Sequence, residues 1–140
     1  MDHIVLGYDH SKGAQAALRV AARLTTQLSA SLHLVFCYEP PALFAGGNVG
    51  EQRDEIGRIG RARLDEGLRT LDGQAITVEG ELVDANPVDG LIAAAEQYSA
   101  VMIVVGHHGE GPLRGALLGA TANRLLHQAE RPVLVVPATE

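Results

Sequence analysis

The sequence lacks the residues that usually stabilise a small domain without a large aliphatic core. It has one cysteine, Cys37, so no internal disulfide can form. It has no tryptophan, and only three tyrosines and two phenylalanines among 140 residues. A chain of this length can nevertheless bury roughly two thirds of its surface. We therefore expect one domain over residues 1–140, with a core built from Ala, Leu, Val and Ile.

Basic residues and long apolar runs are also scarce. Eleven Lys and Arg residues stand against 17 Asp and Glu residues, which gives a net charge of −6. This balance argues against a nucleic-acid binder that works by neutralising phosphates. No apolar run approaches the roughly 18 residues of a membrane helix, and no basic stretch followed by an apolar one indicates a signal peptide. We expect a cytoplasmic protein with no nucleic-acid or membrane partner.

Short apolar runs alternate with segments of helical spacing along the whole chain. Asn86-Pro87 is a favourable helix start, and Gly80 indicates a bulge or bend within a strand. Strands that alternate with helices predict an α/β fold, in which a parallel sheet is covered by helices on both faces. The predicted strands are 3–7, 32–38, 75–85, 101–106 and 133–137, and the predicted helices are 12–29, 51–71, one from 86 onward, and 120–129.

Ligands of such sheets bind outside the carboxyl ends of the strands, where the strand order reverses. Three segments of the sequence follow strands in this way. They are Gly7-Tyr8-Asp9-His10, Phe36-Cys37-Tyr38, and the glycine-rich stretch that begins at Gly106. If the first and fourth strands are neighbours, the Asp9 turn and the glycine-rich stretch face one crevice.

The glycine-rich stretch, "GHHGEGPLRGALLGA" over residues 106–120, fits neither of two common phosphate-binding motifs. A P-loop needs Lys after its second glycine, but Pro112 follows Gly111. A dinucleotide motif starting at Gly109 would need a sixth-position glycine, and that position is Arg114. Its actual spacing is Gly106, two residues, Gly109, nine residues and Gly119.

This spacing resembles the G-2x-G-9x-G-[S/T] motif of the ATP-binding universal stress proteins. The opening "IVLGYDHSKGAQAALRVAARL" and the closing "RPVLVVP" also resemble that family, so the similarity covers nearly the whole chain. The resemblance implies a Rossmann-like, five-stranded parallel sheet with strand order 3-2-1-4-5. It implies a regulatory stress-response protein that binds ATP, with AMP as an alternative nucleotide and Mg²⁺ as a companion of ATP.

The resemblance also implies roles for particular residues. Asp9 would contact the nucleoside, the end of the second strand would wall the adenine, and the Val105-Gly106 backbone would read the base edge. Gly109 and Gly119 would hold the ribose and phosphates. The predicted cofactor-binding residues are Tyr8, Asp9, Cys37, Val105, Gly106, His107, Gly109, Gly119, Ala120 and Thr121.

One position departs from the motif. Ala120 stands where the family has a Ser or Thr that contacts phosphate, and Thr121 is the only hydroxyl in "GATA". Losing one hydrogen bond to a charged group costs on the order of 1.5–3 kcal/mol, whereas the backbone N–H groups at a helix start remain. Alanine is also a poor helix cap. We therefore expect a weakened nucleotide site.

The last strand would lie at an edge of the sheet, where an exposed apolar strand needs a cover. The resemblance implies a symmetric homodimer through Pro132 to Pro137. No general base is placed for phosphate chemistry, so we expect no enzymatic activity. Two alternatives are a nucleotide-free dimer that binds other proteins, which Ala120 favours, and a slow ATPase or nucleotidyl transferase.

Each candidate residue also has a purely structural interpretation. The glycines can serve a tight turn, Asp9 can cap a helix or satisfy a turn, and Cys37 can be a small buried hydrophobe. His107 and His108 are adjacent and point apart, so we expect no metal site. His10 is the immediate neighbour of Ser11, which is poor geometry for activating a nucleophile.

Overall fold

The computed structural model describes residues 1–39, 49–107 and 118–138. Within these residues, strands and helices alternate strictly, as the sequence predicts. The elements are β1 His3–Gly7, α1 Lys12–Leu28, β2 Ser31–Tyr38, α2 Val49–Arg69, β3 Thr77–Asp84, α3 Pro87–Tyr98, β4 Met102–Gly106, α4 Ala120–Gln128 and β5 Val133–Val136.

The five strands form one parallel sheet in the order β3-β2-β1-β4-β5, so the predicted fold class and strand order are confirmed. β1 lies at the centre, between β2 and β4. The chain builds outward from β1 in one direction and then returns to add β4 on its other side. The strand order therefore reverses between β1 and β4.

The sheet is apolar on both faces because helices cover both. Ile4, Val5 and Leu6 of β1 are completely buried, and successive side chains along the strand point to opposite faces. On one face, α1 presents a stripe of alanines and α2 contributes Leu64. On the other face, α3 and α4 contribute mainly aliphatic side chains, including Leu91, Ala122 and Leu125. The expected aliphatic core is present in the described residues.

Local capping explains where the helices begin and end. The Oγ of Ser11 accepts a hydrogen bond from the N–H of Ala14 at the start of α1. Asn86 caps α3 in the same way, with Pro87 in the first turn. Both helices end at a serine in the left-handed conformation, Ser29 for α1 and Ser99 for α3.

Two sequence-based predictions are wrong in detail. Gly80 forms no bulge: the register of β2 with β3 is continuous from Ser31 and Thr77 to Tyr38 and Asp84. A Cβ at Gly80 would lie 2.9 Å from the Leu68 side chain, so glycine leaves room for the leucine side chains with which α2 packs on the strand. The cap of α4 is Gly119, and Ala120 is the first helical residue.

The remaining boundaries agree with the predictions or differ from them by one or two residues. For example, α2 covers Val49–Arg69 where 51–71 was predicted, because a turn begins at Thr70. Within the part of the chain that the structure describes, no helix is long and apolar enough to cross a membrane. The predicted Pro40-Pro41 break and the Gly46-Gly47-Asn48 loop lie outside the described residues.

Candidate functional site

A cleft opens at the carboxyl ends of β1 and β4, where the strand order reverses. The space between its walls, including the part open to solvent, is about 470 Å³. Its lining comes from the ends of β1, β2 and β4 and from the first turns of α1, α3 and α4. The topology therefore brings separated segments of the sequence to one place.

Six of the ten predicted site residues line this cleft. They belong to the β1 turn, the end of β2, the end of β4 and the start of α4. Asp9 and Gly106, the first residue of the glycine-rich stretch, therefore share one crevice, and most of that stretch lies outside the described residues. The six are Tyr8, Asp9, Cys37, Val105, Gly106 and Thr121.

Three other predicted residues lie near the cleft but do not line it. The N–H of His107 donates to the carbonyl of Val136 at 2.7 Å, and its own carbonyl accepts from the N–H of Gly119 at 2.9 Å. These bonds join the ends of β4 and β5 to the start of α4. Ala120 is exposed in the first turn of α4. Gly109, together with His108 and Arg114, lies outside the described residues.

Asp9 forms a tight turn at the mouth of the cleft. Its Oδ1 accepts a hydrogen bond from the N–H of Ser11 at 3.0 Å, and Ser11 in turn caps α1. Of the two structural interpretations of Asp9, satisfying a turn is the one observed. Asp9 also lines the cleft, so the turn and a ligand contact are compatible.

Two of the glycines that line the cleft, Gly7 and Gly106, are closely approached by neighbouring elements. A Cβ at Gly106 would lie 2.6 Å from the carbonyl carbon of Gly13, so the end of β4 and the first turn of α1 approach backbone to backbone. A Cβ at Gly7 would lie 2.8 Å from Leu91 and 3.2 Å from Val105. A side chain at position 106 would push β4 and α1 apart, whereas one at position 7 would displace the side chains of Leu91 and Val105.

The thiol of Cys37 lines the cleft as a neutral group. A Cβ at Gly90 would lie 2.5 Å from its Sγ, which shows how closely α3 packs on this strand. Burial, with a smaller contribution from the Glu81 carboxylate, raises the pKa of Cys37 to about 12. Cys37 therefore behaves as a small hydrophobe and not as a nucleophile.

The ring of Tyr8 packs against α2, although the residue itself borders the cleft. A Cβ at Gly67 would lie 2.9 Å from the ring, and the hydroxyl is 3.1 Å from Nδ1 of His10. Burial raises the pKa of Tyr8, and the carboxylates of Glu66 and Asp9 raise it further. The phenol consequently stays protonated near neutral pH, and its hydroxyl contacts His10 of the turn.

The N-terminal turns of three helices border the cleft. Among its described lining residues, Asp9 carries the only formal charge, so a bound anion would be stabilised by backbone N–H groups and helix dipoles. α1 and α3 are capped by the side chains of Ser11 and Asn86. α4 begins at Gly119 with no side-chain cap, and Thr121 in its first turn lines the cleft.

Several lining residues were not predicted from the sequence. Val35 lies two positions before Cys37 and so shares its face of β2, a signal the sequence does contain. The others lie at or near helix starts whose first turns reach the cleft, and only the three-dimensional arrangement reveals them. The unpredicted lining residues outside β1 are Ser11, Ala14, Val35, Pro87 and Leu91.

Within the described ranges, no group of three or more His, Cys, Asp or Glu side chains is arranged to hold a metal ion.

Residues 1–137 match the model of the universal stress protein family. The chain belongs to that family. A universal stress protein of Mycolicibacterium smegmatis is 34% identical over 140 residues, an alignment that covers 95% of this chain and 47% of the relative. The chain spans about half the length of the curated relatives it matches.

Two solved structures of universal stress proteins share the fold over nearly their full lengths. One from Burkholderia pseudomallei is 27% identical, with a TM-score of 0.82 and coverage of 98% of this chain and 96% of the other. A universal stress protein solved in complex with cAMP is 24% identical, with a TM-score of 0.76 and coverage of 99% and 98%. At that identity the second likeness shows the fold alone.

Proposed function

We propose that this universal stress protein domain binds an adenine nucleotide, ATP with its Mg²⁺ or AMP, in the cleft between β1 and β4. The observation that carries the proposal is the convergence of Asp9, Gly106 and Thr121 on one cleft. Its position at the reversal of strand order is where open α/β sheets bind their ligands.

The phosphates would lie at the start of α4. Its first turn has no side-chain cap, so its N–H groups can be satisfied by an anion. Thr121 lines the cleft from this turn and supplies a hydroxyl, while Ala120 is exposed beside it. In this proposal Thr121 takes over the contact that a hydroxyl at position 120 makes in the resembling motif.

The base and ribose would occupy the deeper, more apolar part of the cleft. Val35, Cys37 and Leu91 offer an apolar wall, and Asp9 offers carboxylate oxygen to the ribose hydroxyls or to the base. A universal stress protein of the same fold has been solved in complex with cAMP. This supports an adenine nucleotide as the class of ligand. Gly109, Gly119 and His107 remain proposed contacts on the phosphate side.

We propose a regulatory role without efficient catalysis. Asp9 is the only carboxylate among the described lining residues, and its Oδ1 is engaged by the N–H of Ser11. Such a group suits positioning a ligand better than activating water. The proposal includes a cytoplasmic location. It also includes a homodimer through residues 132–137, because β5 is an edge strand and Leu134 is 37% exposed.

Mass spectrometry of small molecules released by denaturing the purified protein tests the ligand class. We expect an adenine nucleotide in the released fraction, and a higher melting temperature after ATP is added to ligand-free protein. If no adenine nucleotide is released, and millimolar ATP does not change the melting temperature, the nucleotide-free alternative is correct.

A further inference from the structure

His10 adopts a backbone conformation that side chains normally avoid. Its φ is +66°, in the left-handed region, where a residue with a Cβ is strained. Among the described non-glycine residues, only Ser29 and Ser99 share a positive φ, and both end helices, where this conformation is common. His10 instead lies in the turn between β1 and α1, at the cleft.

The side chain of His10 is held on both of its nitrogens. Nδ1 is 3.1 Å from the hydroxyl of Tyr8, and Nε2 is 3.6 Å from Oε2 of Glu66 on α2. Because the phenol of Tyr8 stays protonated, it can donate to Nδ1, and Nε2 then carries its proton toward Glu66. The backbone is held as well, since Nε2 of Gln15 donates to the carbonyl of His10 at 3.0 Å.

These contacts connect α2 to the turn. Tyr8 is 3% exposed, and its ring packs on Gly67, the residue that follows Glu66. The ring and the carboxylate that His10 contacts therefore both adjoin one turn of α2. The imidazole fills the space between them, and this stabilises a strained backbone from its surroundings.

The conformation of His10 sets the positions of its two neighbours, which both line the cleft. The hydrogen bond from the N–H of Ser11 to Oδ1 of Asp9 spans His10, so it requires the chain to reverse there. The same reversal places Ser11 to cap α1. If His10 relaxed to an extended or right-handed conformation, Asp9 and the start of α1 would lose their shared geometry.

We propose that His10 is a positioning residue of the cleft: its imidazole, held between Tyr8 and Glu66, stabilises the left-handed turn that orients Asp9 and Ser11 for the nucleotide. The effect on affinity rests on the proposed nucleotide binding. The effect on the turn does not, and can be measured without any ligand.

Three variants isolate the effect of the backbone conformation, with ATP titrated into each purified protein. His10→Ala keeps the strain but loses the contacts, so we expect ATP affinity to fall on the order of tenfold. His10→Gly removes the strain, because glycine adopts this conformation freely, and should bind within about threefold of the original protein. Ser99→Ala changes a left-handed residue at the far end of α3 and is the matched control, with unchanged affinity.

Tyr8→Phe tests the connection to α2 through a double-mutant cycle. Removing the hydroxyl should weaken ATP binding about threefold to fivefold in the original background. In the His10→Gly background it should have no further effect, because the contact it serves is already absent. Equal effects in both backgrounds would mean that Tyr8 acts on the nucleotide by another route, and would overturn the connection.

The outcomes distinguish the two proposals. Normal ATP affinity in both His10 variants overturns the positioning role. An equal loss of ATP affinity in both also overturns it, because the imidazole would then contact the nucleotide itself. If the original protein binds no ATP, the proposed function fails and amide hydrogen exchange decides about His10. Exchange at Ser11 and Ala14 should then be faster in His10→Ala but not in His10→Gly, and unchanged exchange overturns the role.

Discussion

Gly106 at the end of β4 lies directly against the backbone of Gly13 in the first turn of α1. A Cβ at position 106 would lie 2.6 Å from the carbonyl carbon and 2.7 Å from the carbonyl oxygen of Gly13. The neighbouring atoms are backbone and cannot rotate away. The close approach of this strand and helix keeps the end of β4 beside the start of α1, on the cleft that Asp9 also lines.

We predict that Gly106→Ala destabilises the protein by about 3 kcal/mol or more, at or above the upper end of overpacking effects. Gly57→Ala is the matched control: its Cβ would meet only ordinary contacts, the nearest at 3.7 Å from Tyr38. Because Gly57 lies inside α2, alanine should stabilise by about 0.5–1 kcal/mol. Urea unfolding measures both, and a similar small effect of the two substitutions would refute the close approach.

The sequence predicted the order of elements because continuous apolar strands and amphipathic helices alternate clearly. It also predicted the Asp9 turn and the Gly106 edge, since both follow apolar runs directly. It did not predict Leu91 or Pro87 in the cleft, because their contribution depends on how α3 packs beside β1 and β2. Nothing in the pattern around Gly80 distinguishes a bulge from a close helix contact, since both require glycine.

The hydroxyl of Thr121 is the next testable contact. We predict that Thr121→Val, which keeps the side-chain shape, weakens ATP binding on the order of tenfold to a hundredfold through the lost bond to phosphate. Ala120→Ser adds a hydroxyl at the exposed neighbour and should tighten binding by roughly tenfold or less. Calorimetric titration measures both. If ATP affinity is unchanged in Thr121→Val but rises strongly in Ala120→Ser, the phosphates lie at position 120 and not at Thr121.

His33 gives the fold a pH dependence. It is 4% exposed on β2, its Nε2 is 2.9 Å from Nδ1 of His3, and its ring stacks on Tyr98 at 3.8 Å between centroids. Burial lowers the pKa of His33, His3 lowers it further, and the carboxylates of Glu79 and Glu81 oppose the shift. The folded protein therefore favours the neutral imidazole.

The sign of the effect follows from proton uptake. Below the ordinary pKa of 6.5, the unfolded chain binds a proton at His33 that the folded protein resists. Stability from this group is complete above pH 6.5 and falls as the pH decreases toward the folded pKa, by at most about 1.4 kcal/mol per pH unit.

His33→Phe keeps a stacked ring and removes the titration. We expect the fall in stability between pH 7.5 and 5.5 to become shallower in this variant, as measured by urea unfolding at each pH. His127→Gln is the control for the loss of an exposed imidazole. A slope in His33→Phe equal to that of the original protein would show that His33 does not contribute.

The proposed dimer depends on the exposed edge of β5. Leu134 is 37% exposed on this strand, so we predict that Leu134→Lys converts a dimer to a monomer by placing a charge in the interface. Light scattering after size-exclusion chromatography measures the mass. Ile59→Lys changes an exposed side chain of α2, away from β5; it is the control and should leave the dimer intact. A monomeric original protein would contradict the proposed interface.

Direct titration of ATP into the ligand-free protein tests the central claim, a nucleotide site between β1 and the start of α4. We predict saturable one-to-one binding with a Kd below about 1 mM. Gly119→Val should abolish it while the protein stays folded, since φ −62° and ψ 156° at this cap suit any residue. No binding by the original protein, or unchanged binding by Gly119→Val, would contradict the account.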